Sequence, residues 1–224
     1  MTQYTIIIPT LNEETEIKAC LMPLQGLRAQ GFEVIVVDGG SCDKTSQLVV
    51  GHCDQFISSR KGRAAQMNAG AQQAKGEIII FLHVDTRLPE KFSELISLID
   101  SNTLFWGRFD VKLTGQHWYF RVIESMMNLR SRLTGITTGD QVIFMSKKLF
   151  SKVGGFPEIE LMEDIAISRK LKKICSPLCF RQKVLTSSRR WERDGIISTI
   201  FKMWWLRLSY FIGVDPARLA KQYD

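Results

Sequence analysis

The chain has few of the features that mark a disulfide scaffold, a membrane span or a dinucleotide fold. Its five cysteines, Cys20, Cys42, Cys53, Cys175 and Cys179, are an odd number with no paired spacing beyond one C-x3-C. They read as reduced thiols rather than as a disulfide framework or a zinc site. No charged-then-apolar leader precedes the first apolar run, so the expected compartment is the cytoplasm. Internal repeats and low-complexity linkers are absent. The turn after the first apolar run, Pro9-Thr10-Leu11-Asn12, is not a G-x-G-x-x-G, which argues against a dinucleotide-dependent oxidoreductase. A sugar nucleotidyltransferase would also want a glycine-rich loop there.

What is present is enough apolar residue for one sizeable core. The 224 residues are 45% apolar, too short a chain for two comfortable domains, and they carry a net charge of +7. That charge suits an anionic ligand: a nucleotide, a nucleic acid or an acidic membrane surface.

The stretch EIIIFLHVDT, Glu77 to Thr86, organises the rest. Its apolar run reads as a buried parallel strand that ends in His83, Asp85 and Thr86. Ligands of open parallel sheets bind outside the carboxyl ends of the strands, so Asp85 is a candidate site residue. Alone, it reads equally well as a turn aspartate capping the next segment. Similar runs at Tyr4 to Ile8, Phe32 to Val37 and Gln55 to Ser58 alternate with helical patterns, of which Arg63 to Ala74 is rich in small residues. The order β-α-β-α-β-α-β predicts an α/β fold with a doubly wound, mainly parallel sheet flanked by helices. Pro23 is expected to kink or divide the first helix.

The second half changes character. Phe105 to Leu113 alternates apolar and polar residues, as a half-exposed strand does, and predicts an antiparallel addition to the sheet. Trp118 to Leu133 predicts a helix with Val122, Ile123, Met126 and Leu129 inside and Arg121, Arg130 and Arg132 outside. Gln141 to Met145 predicts a further strand, and a helix begins near Glu163-Asp164. Ile196 to Val214 is interrupted by Lys202 and Arg207, so it predicts an amphipathic helix rather than a span. Such a helix either docks on its own domain or lies on a membrane or partner surface.

Three of these four strands end in polar clusters: Thr10-Leu11-Asn12-Glu13, Asp38-Gly39-Gly40-Ser41 and His83-Val84-Asp85-Thr86. In a parallel sheet all three emerge on one edge and make a crevice. There Asp38 can accept hydrogen bonds from a ribose or base, Gly39 lets backbone approach a ligand, and Asp85 can hold a hard cation.

With these motifs in order, IIIPTLNEE, VVDGGSCDKT, KGRAAQMNAGA, FLHVDT and GGFPEIELMED, the chain resembles the family 2 nucleotide-sugar glycosyltransferases of GT-A fold. The KGRAAQMN and LHVDT forms are most similar to a small subfamily labelled arsenosugar-biosynthesis glycosyltransferases. The resemblance covers roughly Thr5 to Trp191. It implies one domain, with a nucleotide-sugar-binding half (1–103), an acceptor and catalytic half (104–191) and a C-terminal amphipathic segment (192–224). It implies a nucleoside-diphosphate sugar held by Thr10, Glu13, Asp38, Gly39, Arg63 and Asp85. Asp85, with His83 in the place of the family's first carboxylate, would hold Mg or Mn. Glu163-Asp164 matches the family's acidic pair, whose aspartate is the base of an inverting transfer to an acceptor hydroxyl. Without the resemblance the pair reads as the ordinary acidic bias of a first helical turn.

Trp106, Arg108, Asp140 and Gln141 are acceptor-side candidates. Arg190 and Trp191 are similar to the Q-x-x-R-W element of processive relatives, without its glutamine. No nucleic-acid partner is expected, and residues 196–214 suggest a peripheral contact at the inner face of a membrane. A rival reading is a nucleotide-sugar-binding or membrane-docked regulatory protein without catalysis, which the His83 departure favours.

Overall fold

The computed structural model describes residues 3–223. Four strands follow the expected alternation: β1 (Tyr4–Thr10), β2 (Glu33–Asp38), β3 (Gln55–Ser58) and β4 (Ile78–Phe81). β2 lies between β3 and β1, β4 pairs on the other side of β1, and all are parallel. The connecting helices are α1 (Ile17–Ala29), α2 (Thr45–Val49) and α3 (Arg63–Gln73). Parallel pairing requires crossovers, and the helices supply them on both faces.

Successive strand residues therefore feed two cores. Ile6, Ile8, Val34 and Val36 pack under Leu21 and Leu24 of α1, whereas Ile7, Ile35 and Val37 pack under Ala64, Met67 and Ala71 of α3. The small residues of α3 let it sit close: a Cβ on Gly70 would press into Ile7 and Val37. α1 runs through Pro23 without dividing.

Beyond β4 come a two-residue strand β5 (Thr86–Arg87), α4 (Phe92–Ser97), β6 (Trp106–Leu113), α5 (Trp118–Thr134), β7 (Ile143–Ser146), α6 (Lys147–Val153), α7 (Glu163–Leu171) and β8 (Leu178–Thr186). β7 inserts antiparallel between β4 and β6, β8 runs parallel to β6, and β5 closes the far edge against β8. The chain ends in α8 (Arg189–Asp194), α9 (Ile196–Phe211) and α10 (Pro216–Tyr223).

Two expectations fail here. β6 is not half-exposed: its polar residues turn into a buried network in which Arg108 pairs with Asp110, and Asp110 Oδ2 accepts from Arg132 Nη2 at 2.8 Å. Burying a charge is costly unless it is paired, and both guanidinium partners meet that condition. α5 departs in part: Ile123 is inside and Arg121 outside as expected, but the rest of the apolar stripe turns outward. The helix buries Phe120, Ile123, Glu124, Asn128 and Ser131 and exposes Val122, Met126 and Leu129. Past Gly107, β6 has no neighbour on its β7 side, and α5 completes that edge: Val111 N donates to Asn128 Oδ1 at 2.9 Å and Leu113 N to Glu124 Oε1 at 2.7 Å. Satisfying buried backbone N–H groups outweighs the apolar stripe in choosing which face turns inward.

Candidate active site

The strand ends, the turn before β7 and the starts of α7 and α8 surround one cavity of about 910 Å³. Asn12 and Glu13 enter from β1, Arg63 from the start of α3, and His83 and Asp85 from the end of β4. Asp140, Glu163, Asp164, Arg190 and Trp191 complete the polar wall. Six separate stretches thus meet where a parallel sheet opens its crevice.

Asp164 is held by two backbone donors. Gly139 N donates to its Oδ2 at 3.1 Å and Ile165 N to its Oδ1 at 2.7 Å. Met162, just before the Glu163-Asp164 pair, adopts a left-handed φ of 70°, a conformation that costs a non-glycine residue about 1 kcal/mol or more. That reversal turns the acidic pair into the cavity at the head of α7. Gly139 itself has no room for a side chain, because a Cβ there would overlap the His83 ring. The end of β4, the turn at Gly139 and the start of α7 are locked together through this one position.

The electrostatics are those of a crowded acidic pair beside guanidinium groups. Burial, then the neighbouring Asp164 charge, pushes the Glu163 carboxyl up to about 7, with Arg63 opposing. Burial also raises Asp164, against hydrogen bonds from Ile165 N and Gly139 N and the Arg207 charge. Arg63 Nη1 lies 3.9 Å from Glu163 Oε1. Burial works against the Arg63 charge, yet Glu163, Tyr223 and Asp164 outweigh it and hold the guanidinium protonated. Burial, then Arg63, pulls His83 down to about 4, so its ring is a neutral nitrogen donor.

Thr10, Asp38 and Gly39 are buried behind the cavity wall. Asp38 Oδ2 accepts from Gly40 N at 3.0 Å and Ser41 N at 2.9 Å, and so shapes the loop that meets Asn12. Three acceptor-side expectations are corrected. Trp106 is fully buried, its Nε1 donating to Cys175 O at 2.8 Å, and Arg108 is committed to the Asp110 network. Gln141 is also buried, its carbonyl folded back onto Thr138 N at 3.3 Å. In each case burial, which alternation along a strand does not report, removes the side chain from the cavity.

Arg130, Arg207 and Tyr223 reach the cavity without having been site candidates from sequence. Tyr223 lies over Arg190, whose guanidinium carbon is 3.6 Å from the ring centre, and its carbonyl accepts from Arg190 Nη2 at 2.8 Å and Lys202 Nζ at 2.9 Å. No motif signals such a long-range meeting. Among the described residues no group of three His, Cys, Asp or Glu gathers as a metal cage. Two side chains nevertheless offer oxygens that suit a hard cation shared with a bound anion: the Asp85 carboxylate, which accepts from Thr86 Oγ1 at 3.3 Å, and Asp140, whose Oδ1 is buried with no partner among the described residues. Carboxylate oxygens are the donors that Mn and Mg take, and His83 lines the same cavity.

Comparison with known proteins agrees with this geometry. A solved structure of S. aureus TarS in complex with UDP-GlcNAc superposes with a TM-score of 0.66 at 20% identity, covering 98% of this chain and 69% of that one. A mannosyltransferase of Pyrobaculum calidifontis, in complex with GDP-Man and Mn2+, superposes at 0.61 with 21% identity, covering 92% of this chain and 61% of that one. The fold is therefore that of the GT-A glycosyltransferases. An uncharacterized glycosyltransferase of Haemophilus influenzae is 28% identical over 182 residues, 75% of this chain and 61% of its own length. The chain thus spans about three fifths of the length of that relative. The family model for glycosyl transferase family 2 matches residues 5–153, from β1 through the turn at Gly139 to the end of α6. The chain belongs to glycosyl transferase family 2.

Proposed function

We propose that the protein transfers a sugar from a nucleoside-diphosphate donor to an acceptor hydroxyl in a single displacement that inverts the anomeric centre. The observation that carries this reading is the position of Asp164, clamped by Gly139 N and Ile165 N in the cavity that Arg63, His83 and Asp85 also line. A hydroxyl must lose its proton as it attacks, and a fixed carboxylate can take it late, when the hydroxyl has become acidic. The acceptor oxygen bonds to the anomeric carbon, the bond from that carbon to the diphosphate oxygen breaks with its electron pair on the leaving group, and the proton passes to Asp164.

Arg63 and Arg190 line the same cavity and supply positive charge for the diphosphate as it departs. Asp85, with Asp140 and His83, would hold a divalent cation. When bound, that cation polarises phosphoryl oxygen and offsets the leaving group's charge. The neighbouring structures fit this donor chemistry, one in complex with UDP-GlcNAc and the other with GDP-Man and Mn2+. Glu13, which lines the cavity on the β1 and β2 side, is assigned to the nucleoside, with Thr10, Asp38 and Gly39 behind it shaping that wall. The exposed apolar face of α9 supports a peripheral position at a membrane. The KGRAAQMN and LHVDT motifs support membership of the small subfamily they resemble.

A bound nucleotide stabilises a fold by mass action, so a thermal-shift screen of nucleoside diphosphates with Mn tests the donor class. A shift of several degrees with one nucleotide, and turnover of the matching nucleotide sugar to free diphosphate, is the expected result. Binding without any turnover favours the catalysis-free reading.

A further inference from the structure

The cavity has two unlike halves. On the sheet side it is lined by Glu13, Arg63, His83 and Asp85; on the other side α5 and α9 contribute Ile123, Met126, Met127, Ile200, Met203 and Trp204. That apolar half continues outward. Trp118, Val122, Met126, Leu129 and Leu133 form one exposed stripe along α5, and Trp118 is 75% exposed. Along α9, Ile197, Phe201, Trp204, Leu208, Phe211 and Ile212 form another. The helices share a small cluster in which Ile123 of α5 packs near Ile196 and Ile200 of α9. Scattered exposed apolar residues are ordinary, but two adjoining stripes that run into a cavity are not.

The outward turn of α5 is fixed by Glu124 and Asn128, which hydrogen-bond the β6 backbone. Charge complements the apolar face: α5 and residues 189–223 together carry ten Lys and Arg against four Asp and Glu. Tryptophan beside cations on a helix suits the headgroup boundary of an anionic bilayer. No helix among the described residues is long and apolar enough to cross one.

Where the apolar half meets the polar half stand two guanidinium groups. Arg130 Nε and Nη2 are buried with no hydrogen-bond partner, and its Nη1 reaches only Ile136 O at 3.4 Å. Burial, then the Arg207 charge, pulls Arg130 down to about 10, with Asp140 and Asp164 opposing. Two arginines lining one cavity, one with unpartnered buried N–H groups, call for an anion.

We propose that the acceptor is an amphiphile, a lipid whose chains lie along the α5–α9 face, whose phosphate rests on Arg130 and Arg207, and whose headgroup hydroxyl reaches Asp164. This rests on the proposed transfer reaction and names its acceptor class. Seated in this way, the lipid remains in the bilayer while its headgroup turns toward the sheet side. The hydroxyl proton goes to Asp164 as its oxygen bonds to the sugar and the nucleoside diphosphate leaves.

The test is isothermal titration of the full chain with dioctanoyl-phosphatidylglycerol below its micelle concentration, which offers chains, phosphate and hydroxyl together. Glycerol 3-phosphate, which lacks the chains, is expected to bind at least roughly tenfold more weakly. Arg207→Gln is expected to weaken lipid binding by roughly tenfold while leaving binding of nucleoside diphosphate with Mn unchanged. Phe201→Glu, on the exposed stripe, is expected to weaken lipid binding without changing donor turnover. Equal binding of glycerol 3-phosphate and the lipid overturns the proposal, as does an Arg207→Gln protein that loses nucleotide and keeps lipid. Lipid-dependent dimerisation of the chain, seen by light scattering and abolished by Phe201→Glu, also overturns it by making the stripe a contact between copies. Donor turnover is read separately, so a chain that binds lipid and turns over no nucleotide sugar fails the transfer reaction instead.

Discussion

The backbone N–H of Gly139 donates to Asp164 Oδ2 at 3.1 Å, from a position where the His83 ring leaves no room for a Cβ. The residue that departs from the family's acidic pattern is thereby the packing partner of the turn that aims the proposed base. Gly139→Ala is expected to displace that turn and remove one donor from Asp164. A hydrogen bond to a charged group contributes about 1.5–3 kcal/mol, so transfer should slow by roughly tenfold to a hundredfold. The check is kcat alongside the urea midpoint, with nucleotide binding retained.

Glu163 links catalysis to pH-dependent stability. Its carboxyl is ordinarily near 4.5 and stands at about 7 in the fold, raised first by burial and then by Asp164. Between those values the native state keeps a proton that the unfolded chain has released, so stability falls as pH rises through that window. Glu163→Gln cannot ionise and escapes the penalty. Its stability relative to the wild type should increase from about pH 5 to about pH 8, by on the order of 3 kcal/mol at the upper end. Denaturant midpoints of both proteins across that range measure it; a constant difference contradicts the raised carboxyl.

Asp85 offers the clearest metal test. If it holds the cation on the diphosphate, donor turnover should require Mn or Mg and stop in EDTA. Asp85→Asn should raise the cation concentration for half-maximal turnover by roughly tenfold or more. Turnover insensitive to EDTA removes Asp85, His83 and Asp140 from that role.

Much of the N-terminal half was legible because its signals are local. Each of β1, β2 and β4 is a short apolar run closed by turn chemistry, and the alternating order leaves little topological freedom. The polar strand ends were legible for the same reason, and Glu13, His83 and Asp85 do meet in one cavity. The second half depends on long-range satisfaction instead. β8 carries no clean period, with Arg181, Gln182 and Lys183 exposed at its centre, so nothing local marked it as a strand. Asn128 and Glu124 read as surface residues on a helical wheel, yet they complete the open edge of β6 and turn the apolar side of α5 to solvent. Arg108 followed the strand alternation outward and is instead buried against Asp110. Arg130 and Arg207 looked like ordinary solvated cations, and only the convergence of α5 and α9 brings them to the cavity.

The central claim, that Asp164 accepts the acceptor's proton, is tested most directly by Asp164→Asn. The side chains match in size, and the single amide oxygen of the variant keeps the bond from either Ile165 N or Gly139 N, so the fold should persist. The measurement is sugar transfer by the variant, with nucleoside-diphosphate binding in Mn recorded on the same preparation. The account predicts that transfer falls by roughly a thousandfold or more while nucleotide affinity stays within about twofold; transfer at the wild-type rate would contradict it.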